Sequence, residues 1–175
     1  CESTVYGRIA GDVAAEIALD EDRYPHDENE AERLRVRWLR PFLRGSGENV
    51  YEIRDEIETL MWEKAGLVRN GDKLIEAADR LMALMEKVDR AKVADRYVSR
   101  YNMEWNNIVD VTNLITVCRM VVNSAYHRAE SRGAHYREDF PETDNENWLI
   151  NIYQRKGDGF ELELSQQPVI SNRFR

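Results

Sequence analysis

The sequence predicts a mainly α-helical protein, an antiparallel bundle of three to four helices that resembles a spectrin repeat, followed by a C-terminal β-hairpin. Apolar residues recur at steps of three and four between residues 50 and 129, which is the period of helices with one buried face. After residue 147 the period changes to two, as in strands. Because the helical stripes are one face wide, the helices must bury them against each other, and an antiparallel bundle does this.

The first two bundle helices follow an acidic segment. Leu34, Trp38 and Phe42 lie four residues apart, but Pro41 is expected to kink or end their helix near Arg40. The next stripe predicts a helix that ends with Gly66 as its C-cap. Its apolar residues are Val50, Ile53, Ile57, Leu60 and Met61.

Two longer stripes complete the predicted bundle. Asn70 is expected to cap the start of the first, in a turn that also contains Gly71. The apolar positions of this helix are Leu74, Ala78, Leu81, Met85 and Val88. Those of the last helix are Ile108, Val111, Ile115, Cys118, Val122, Ala125 and Ala129.

Alternating residues near the C-terminus predict the hairpin. Trp148, Ile150 and Ile152 form one side of the first strand, and residues 160–164 alternate in the same way. Residues 156–159, Lys-Gly-Asp-Gly, have the composition of the turn between them.

Composition limits the function. The chain has 175 residues and a net charge of -8, which argues against a nucleic-acid partner because phosphate binding needs clustered Lys and Arg. Polar residues interrupt the apolar stretch at 114–126, so no direct membrane insertion is expected. Cys1 and Cys118 form no disulfide framework, and free thiols suit a reducing, cytoplasmic location. The chain begins with Cys1 instead of Met, so we expect a processed product or a piece of a longer polypeptide.

The start of the chain is organised differently from the bundle. Residues 1–19 are rich in small residues, including Gly7 and Gly11, so a helix there could approach another backbone closely. Residues 20–32 are acidic and contain Pro25, as a linker would. The predicted bundle domain covers residues 33–140, and residues 141–175 form an extension that contains the hairpin.

The most distinctive segment is residues 130–141, ESRGAHYREDFP, here named the charged loop. We expect Gly133 to end the preceding helix in a left-handed turn. Arg132 and His135 would then meet the negative end of that helix, and Arg137 would pair with a carboxylate, bidentately if buried. A general acid-base role for His135, Glu138 or Asp139 is the alternative, which we disfavour because ionic networks perturb pKa values without being catalytic. A metal site from His127, His135 and Asp139 is disfavoured too, since nothing in the sequence fixes its geometry.

The charged loop followed by Asn147-Trp148-Leu149 resembles the C-terminal signature of the flavoprotein subunits of succinate dehydrogenases and fumarate reductases. Residues 1–11, CESTVYGRIAG, are similar to the segment that ends the FAD domain in that family, with Tyr6 where Phe is usual. Residues 61–74, MWEKAGLVRNGDKL, also resemble a helix-turn-helix of the family. The resemblance therefore covers nearly the whole chain.

The resemblance implies that residues 1–19 are the terminal helix of an FAD-binding domain and that the full subunit binds FAD. It would exchange a hydride between the flavin and a C4 dicarboxylate, with electrons moving through an iron-sulfur partner subunit. This chain would hold no cofactor and no catalytic residue, because the family's substrate-binding groups lie upstream. Glu2 and Ser3 would be at most close to the flavin, since the turn that touches it precedes Cys1. Arg132, Gly133, His135, Arg137 and Asp139 would form an interdomain clasp.

Two relatives of the same architecture, L-aspartate oxidase and the adenylylsulfate reductase alpha subunit, remain alternatives. An independent helical interaction module is an alternative of another class. The Gly- and Ala-rich segment before the acidic linker argues against that module, because an autonomous bundle has no need of it.

Overall fold

The computed structural model describes residues 2–20, 27–95, 100–157 and 161–169. Cys1, the middle of the predicted linker and the second half of the predicted turn at 156–159 lie outside the described residues. The chain divides into two compact units, residues 1–37 and residues 38–175. The elements, in chain order, are α1 (Glu2–Asp20), α2 (Glu28–Leu43), α3 (Val50–Ala65), β1 (Val68–Arg69), α4 (Gly71–Asp89), α5 (Met103–His127), β2 (Tyr136–Arg137), β3 (Ile150–Lys156) and β4 (Leu162–Pro168).

The first unit contains α1 and the start of α2. No described atom lies within 4 Å of where a Cβ would stand on Gly7 or Gly11, so the predicted close packing of these glycines stays a prediction. Asp27 begins α2 by accepting hydrogen bonds from the amides of Asn29 and Glu30. Helix α2 therefore starts inside the segment predicted as linker, and the domain boundaries stay predictions.

The second unit is built on α3, α4 and α5, each of which packs against the other two. Ion pairs Lys64–Glu76 and Lys87–Glu56 join opposite ends of α3 and α4, so these helices are antiparallel. A hydrogen bond from Arg54 to Asn107 brings the starts of α3 and α5 together, so α5 is also antiparallel to α4. The predicted mainly helical fold with a terminal strand pair is confirmed.

The core contains most of the positions that the helical stripes predicted, with Ala65, Ala77, Leu84 and residues of the α4–α5 connection in addition. The predicted Ala129 lies beyond the end of α5 and is not part of the core. Met61 and Ala78 from those stripes are partly buried against it. The buried apolar residues are Val50, Ile53, Ile57, Leu60, Ala65, Leu74, Ala77, Leu81, Leu84, Met85, Val88, Ala91, Val93, Ile108, Val111, Ile115, Cys118, Val122 and Ala125.

An asparagine begins each of the three bundle helices. The side chains of Asn49, Asn70 and Asn102 accept hydrogen bonds from backbone amides of the first turns of α3, α4 and α5. This satisfies donors that a helix start leaves free. The predicted cap at Asn70 is confirmed, and Gly66 follows α3 as its C-cap as predicted.

Pro41 was expected to kink or end its helix near Arg40; it does not end the helix, because α2 continues to Leu43, and the kink stays a prediction. Pro41 is buried, and its carbonyl accepts a hydrogen bond from the amide of Val93 at 3.1 Å. A proline in the last turn removes only one helical bond, so burial and this tertiary bond are enough to hold the turn.

Helix α5 is long and apolar enough, by length and composition alone, to cross a membrane. Its apolar positions Ile108, Ile115 and Val122 are buried against α3 and α4. The bundle core therefore accounts for these positions of α5, and the absence of direct membrane insertion stays a prediction.

Strands form two separate pairs. β1 and β2 pair in parallel, with Arg69 opposite Arg137, a pairing that the sequence did not predict. β3 and β4 form the predicted antiparallel hairpin, whose first strand starts at Ile150 and not at Trp148. Gln154 of β3 fixes the hairpin on α5 through the carbonyl of Met120 and the side chain of Asn123.

We expect Ile115→Ala to lower the free energy of unfolding by about 2–5 kcal/mol, because Ile115 is fully buried and truncation leaves a cavity. Asn113→Ala, at an exposed position of the same helix, is the control and should change stability by less than about 0.5 kcal/mol. Chemical denaturation measures both. Equal stability of the two variants would place the core on another face.

The charged end of the bundle as candidate functional site

Three helix termini meet at one end of the bundle, where α3 ends, α4 begins and α5 ends. The β1–β2 pair lies there, because β1 connects α3 to α4 and β2 belongs to the charged loop. Helix termini leave backbone donors or acceptors without helical partners, and these need other partners when buried. The charged loop supplies most of those partners.

Arg137 closes the C-terminus of α5. Its side chain is 2% exposed, and its Nη1 donates to the carbonyls of Ala125, Tyr126 and Arg128 at 2.9, 3.0 and 3.3 Å. A cation at this position also meets the negative end of the helix dipole. The guanidinium lies 5.0 Å from the centre of the Phe140 ring, which covers it.

Asp139 connects Arg137 to the N-terminus of α4. Its two oxygens accept from Nε and Nη2 of Arg137 at 2.7 and 2.6 Å, the bidentate geometry expected for this arginine. The second oxygen also accepts from the Gly71 amide at 2.9 Å. The hydrogen bonds from Arg137, with that amide, lower the pKa of Asp139 to about 2, so it is ionised at neutral pH.

Arg69 does for α3 what Arg137 does for α5. Its Nε donates to the carbonyls of Ala65 and Gly66 at 3.0 and 2.8 Å. Its Nη1 lies 3.0 Å from Nδ1 of His135. Burial lowers the pKa of Arg69. Two register partners in one ladder, Arg69 and Arg137, therefore cap two neighbouring helices.

Glu130 is the buried anion of the loop, with a side chain that is 0% exposed. Arg132 donates to its two oxygens at 2.9 and 3.0 Å, and Arg128 and the Asp144 amide donate at 2.5 and 2.9 Å. Burial acts to raise the pKa of Glu130, but these donors outweigh it and lower the pKa to about 2. Arg128 also donates to the carbonyls of Trp148 and Ile150, which ties the loop to the hairpin.

His135 lies between two arginines and is neutral. Nδ1 accepts from Arg69, and Nε2 lies 3.2 Å from the carbonyl of Arg128, so the ring carries its proton on Nε2. Burial is the largest cause that lowers the pKa of His135, and the neighbouring arginines lower it further. Both ring nitrogens are therefore occupied by structural hydrogen bonds.

Residues 54–175 match the family described as fumarate reductase flavoprotein C-term. The chain belongs to this family. An uncharacterized FAD-dependent oxidoreductase from Methanocaldococcus jannaschii is 33% identical over 98% of this chain and 30% of its own length. The structure of Escherichia coli quinol fumarate reductase matches 98% of this chain and 30% of that chain, with a TM-score of 0.84 and 30% identity.

Other relatives are flavoprotein subunits of fumarate reductases and succinate dehydrogenases. Adenylylsulfate reductase from Archaeoglobus fulgidus has a TM-score of 0.81, at 20% identity over 94% of this chain and 28% of that chain, which shows a shared fold alone. The family match identifies the chain as a flavoprotein C-terminal region and replaces the alternative of an unrelated helical module. The chain spans about 30% of the length of its first relatives.

In this member of the fumarate reductase flavoprotein family, Gly133 does not end the last bundle helix as predicted. α5 ends at His127, with Arg128 as its C-cap in an extended conformation. Gly133 has φ of +58°, the left-handed region that favours glycine, and makes a tight turn in which Arg132 and His135 exchange backbone bonds at 2.8 and 3.0 Å. The residue was predicted with the right conformation but with the wrong role, because Arg137 supplies the cap from further along the chain.

The other predicted loop residues come together only in part. Arg137, Asp139 and His135 share one network, while Arg132 contacts Glu130 and Asn145 and does not meet the end of α5. Glu138 is exposed and accepts from the Asn70 side chain. His127 lies against Trp148, apart from His135 and Asp139, and in the described ranges no group of three His, Cys, Asp or Glu is placed to hold a metal.

Sequence reasoning missed Arg69, Arg128 and Ser131. Ser131 Oγ accepts from the Arg137 amide at 2.9 Å and donates to the Phe140 carbonyl at 2.8 Å, so it fixes the turn of the loop. A signal for Arg69 was its place just after Gly66, where a cation can reach the last carbonyls of α3. The hydrogen bonds and ion pairs of this arrangement join the ends of α3 and α5 to the start of α4.

We expect Arg137→Ala to lower the free energy of unfolding by about 3–5 kcal/mol, since it removes a buried partner of Asp139 and uncaps α5. Arg155→Ala is the matched control, because Arg155 is 80% exposed in its pair with Glu163 and such pairs contribute about 0–1 kcal/mol. Urea denaturation of both variants measures the difference. A loss below that of Arg155→Ala would contradict the capping role.

Acid should weaken the fold through Glu130. Its pKa is lowered from 4.5 to about 2 on folding, so its contribution is present above pH 4.5 and is lost as pH falls toward 2. One proton changes stability by at most about 1.4 kcal/mol per pH unit. Stability measured from pH 6 to pH 3 should therefore fall less steeply in Glu130→Gln than in the parent. Glu63→Gln, at an exposed position on α3, should keep the parental slope, and identical slopes in all three proteins would refute the assignment.

Proposed function

We propose that this chain is the C-terminal region of an FAD-dependent subunit of the fumarate reductase and succinate dehydrogenase type. Its role is to form a stable helical domain that packs against the FAD-binding domain of the same subunit and contributes to subunit contact. The observation that carries the proposal is the charged end of the bundle, where Arg137 and Asp139 of the charged loop, together with Arg69, bond the helix ends. The names of the relatives support the reaction type.

The full subunit would exchange a hydride between the flavin and a C4 dicarboxylate, and an iron-sulfur subunit would be its electron-transfer partner. FAD supplies the redox chemistry when bound. In the described residues, the buried polar side-chain atoms have hydrogen-bond partners within the chain, which supports a structural role for the charged end. Ser3 is exposed in the first turn of α1, and a helix N-terminus suits an electron-rich ligand atom, so contact with FAD through this chain would be limited to that turn.

Contact with the FAD-binding domain is supported by the surface of α1. Val5, Ile9, Val13 and Ile17 lie four residues apart and are 48–56% exposed, so one face of the helix is apolar and open. A contiguous apolar face on a helix is usually buried against a partner. Gly7, Ala10 and Gly11 would let that partner approach closely. We place the subunit in the cytoplasm. If its partner subunits are anchored in the membrane, the subunit lies at the inner face of that membrane.

The 175-residue chain should bind no FAD, whereas the full-length subunit should bind it stoichiometrically. Both proteins are purified in parallel, incubated with FAD, desalted and examined by absorbance. Yellow flavin retained by the 175-residue chain would contradict the proposed division of roles. A full-length protein without bound flavin would contradict the proposed function itself.

Arg137→Ala in the full-length subunit should lower the unfolding temperature and leave the turnover per bound flavin largely unchanged. The reason is that Arg137 contacts helix carbonyls and Asp139, which are structural partners. Thermal unfolding and fumarate reduction or succinate oxidation are measured on the same preparation, with Arg155→Ala as the control. A normal unfolding temperature with abolished turnover would place Arg137 in the chemistry.

A further inference from the structure

An open groove of about 790 Å³ runs between α5 and β3. Val117 and Val121 of α5 form one wall, and residues 150–154 of β3 form the other. Arg69, Arg128 and His135 of the charged end line it as well. The hydrogen bonds of these three residues that are described above do not fill the groove.

The polar lining of the groove is positive. Arg69 and Arg128 line it, and no Asp or Glu is among its described lining residues, although the chain as a whole has a net charge of -8. Arg128 has Glu130 as its counter-ion. Arg69 bonds two carbonyls and a neutral imidazole, and no carboxylate of the described chain forms an ion pair with it. A half-buried guanidinium of this kind is stabilised by an added carboxylate.

One edge of β3 borders the groove. Five successive residues of the strand line it, although alternate side chains of a strand point to opposite faces, so the backbone itself is exposed there. The Leu149 carbonyl and the Gly157 amide bond within the hairpin, so odd-numbered residues between them direct their backbone groups to β4. Ile152 and Gln154 direct theirs the other way. In the described ranges β3 pairs with β4 alone. Arg128 occupies the carbonyl of Ile150 on the other edge, which leaves that edge open at Ile152 and Gln154.

Both walls of the groove include exposed apolar side chains. Val117 is 56% exposed, Val121 40% and Tyr153 48%, and Ile152 of β3 lines the groove as well. A small free anion would neutralise Arg69 but would leave these side chains in water. An extended peptide segment would cover the apolar walls, pair with the strand edge and carry a carboxylate to the arginine, as in recognition by strand addition.

We propose that an extended segment of the flavoprotein outside this chain adds to the free edge of β3 and places a side-chain carboxylate on Arg69. The proposal deepens the proposed function, because it gives the contact between this domain and the rest of the subunit a location and a chemistry. The chain spans about 30% of its relatives' length, so most of the subunit is available to supply the segment.

The test compares amide hydrogen exchange at Ile152 and Gln154 in the 175-residue chain and in the full-length subunit, by mass spectrometry with residue-resolved fragmentation. Both amides should exchange at least about tenfold more slowly in the full-length protein. Val117→Glu puts a carboxylate into the groove wall at an exposed position, so it should repel the segment and restore fast exchange. Val117→Gln, matched in size, should keep the slow exchange. The pair Val121→Glu and Val121→Gln repeats the test if the first acidic variant fails to fold.

Each other outcome overturns the proposal. Equal exchange in the two wild-type proteins means that no segment adds to the strand. Equal loss of protection in the Glu and Gln variants means that the carboxylate has no role. Protection in the 175-residue chain that grows with its concentration identifies a second copy as the occupant, and protection induced by sodium acetate alone identifies a free anion. Flavin content is measured in the same full-length sample. Absence of bound FAD would refute the proposed function, whereas bound FAD with unprotected amides would refute only this contact.

Discussion

The hydrogen bonds of Arg137 are the interaction on which the rest of this structure depends. One buried guanidinium satisfies three carbonyls at the end of α5 and binds Asp139, which in turn accepts from the first amide of α4. A buried backbone group without a partner costs about as much as a lost hydrogen bond, roughly 1–3 kcal/mol. Because three helix termini meet at one place, the bundle needs such a group there, and the apolar core alone could not provide it.

The helical core was predictable from the sequence because its signal is local. The stripes containing Ile57, Leu81 and Ile115 repeat every three or four residues, and the structure buries all three. The hairpin was predictable for the same reason. The continuation of α2 past Pro41 was not predictable, because the tertiary bond between Pro41 and Val93 leaves no local pattern in the sequence.

The candidate site was predictable only as a set of residues. Its composition identified Arg137 and Asp139, and their resemblance to a family gave the context. The partners Arg69 and Gly71 are distant in sequence, so their part depends on how the chain folds back. Gly133 shows how far residue type alone can predict the site. Its left-handed conformation follows from its being glycine, but the cap of α5 is Arg137, which is further along the chain. The family was predictable because the residues of the charged loop already resemble its C-terminal signature, and the match of residues 54–175 agrees with this.

The β1–β2 pair has a consequence for the order of folding. Its bonds and the contacts around it join residues 66 to 68 positions apart, and this pairing contains only two residues per strand. The entropy of closing so long a loop has to be met before these contacts contribute, and so short a ladder cannot meet it unaided. We therefore expect the helices to dock before the two arginines form their hydrogen bonds. In that order of events, the bonds at the charged end form only in chains whose three helices have already packed correctly.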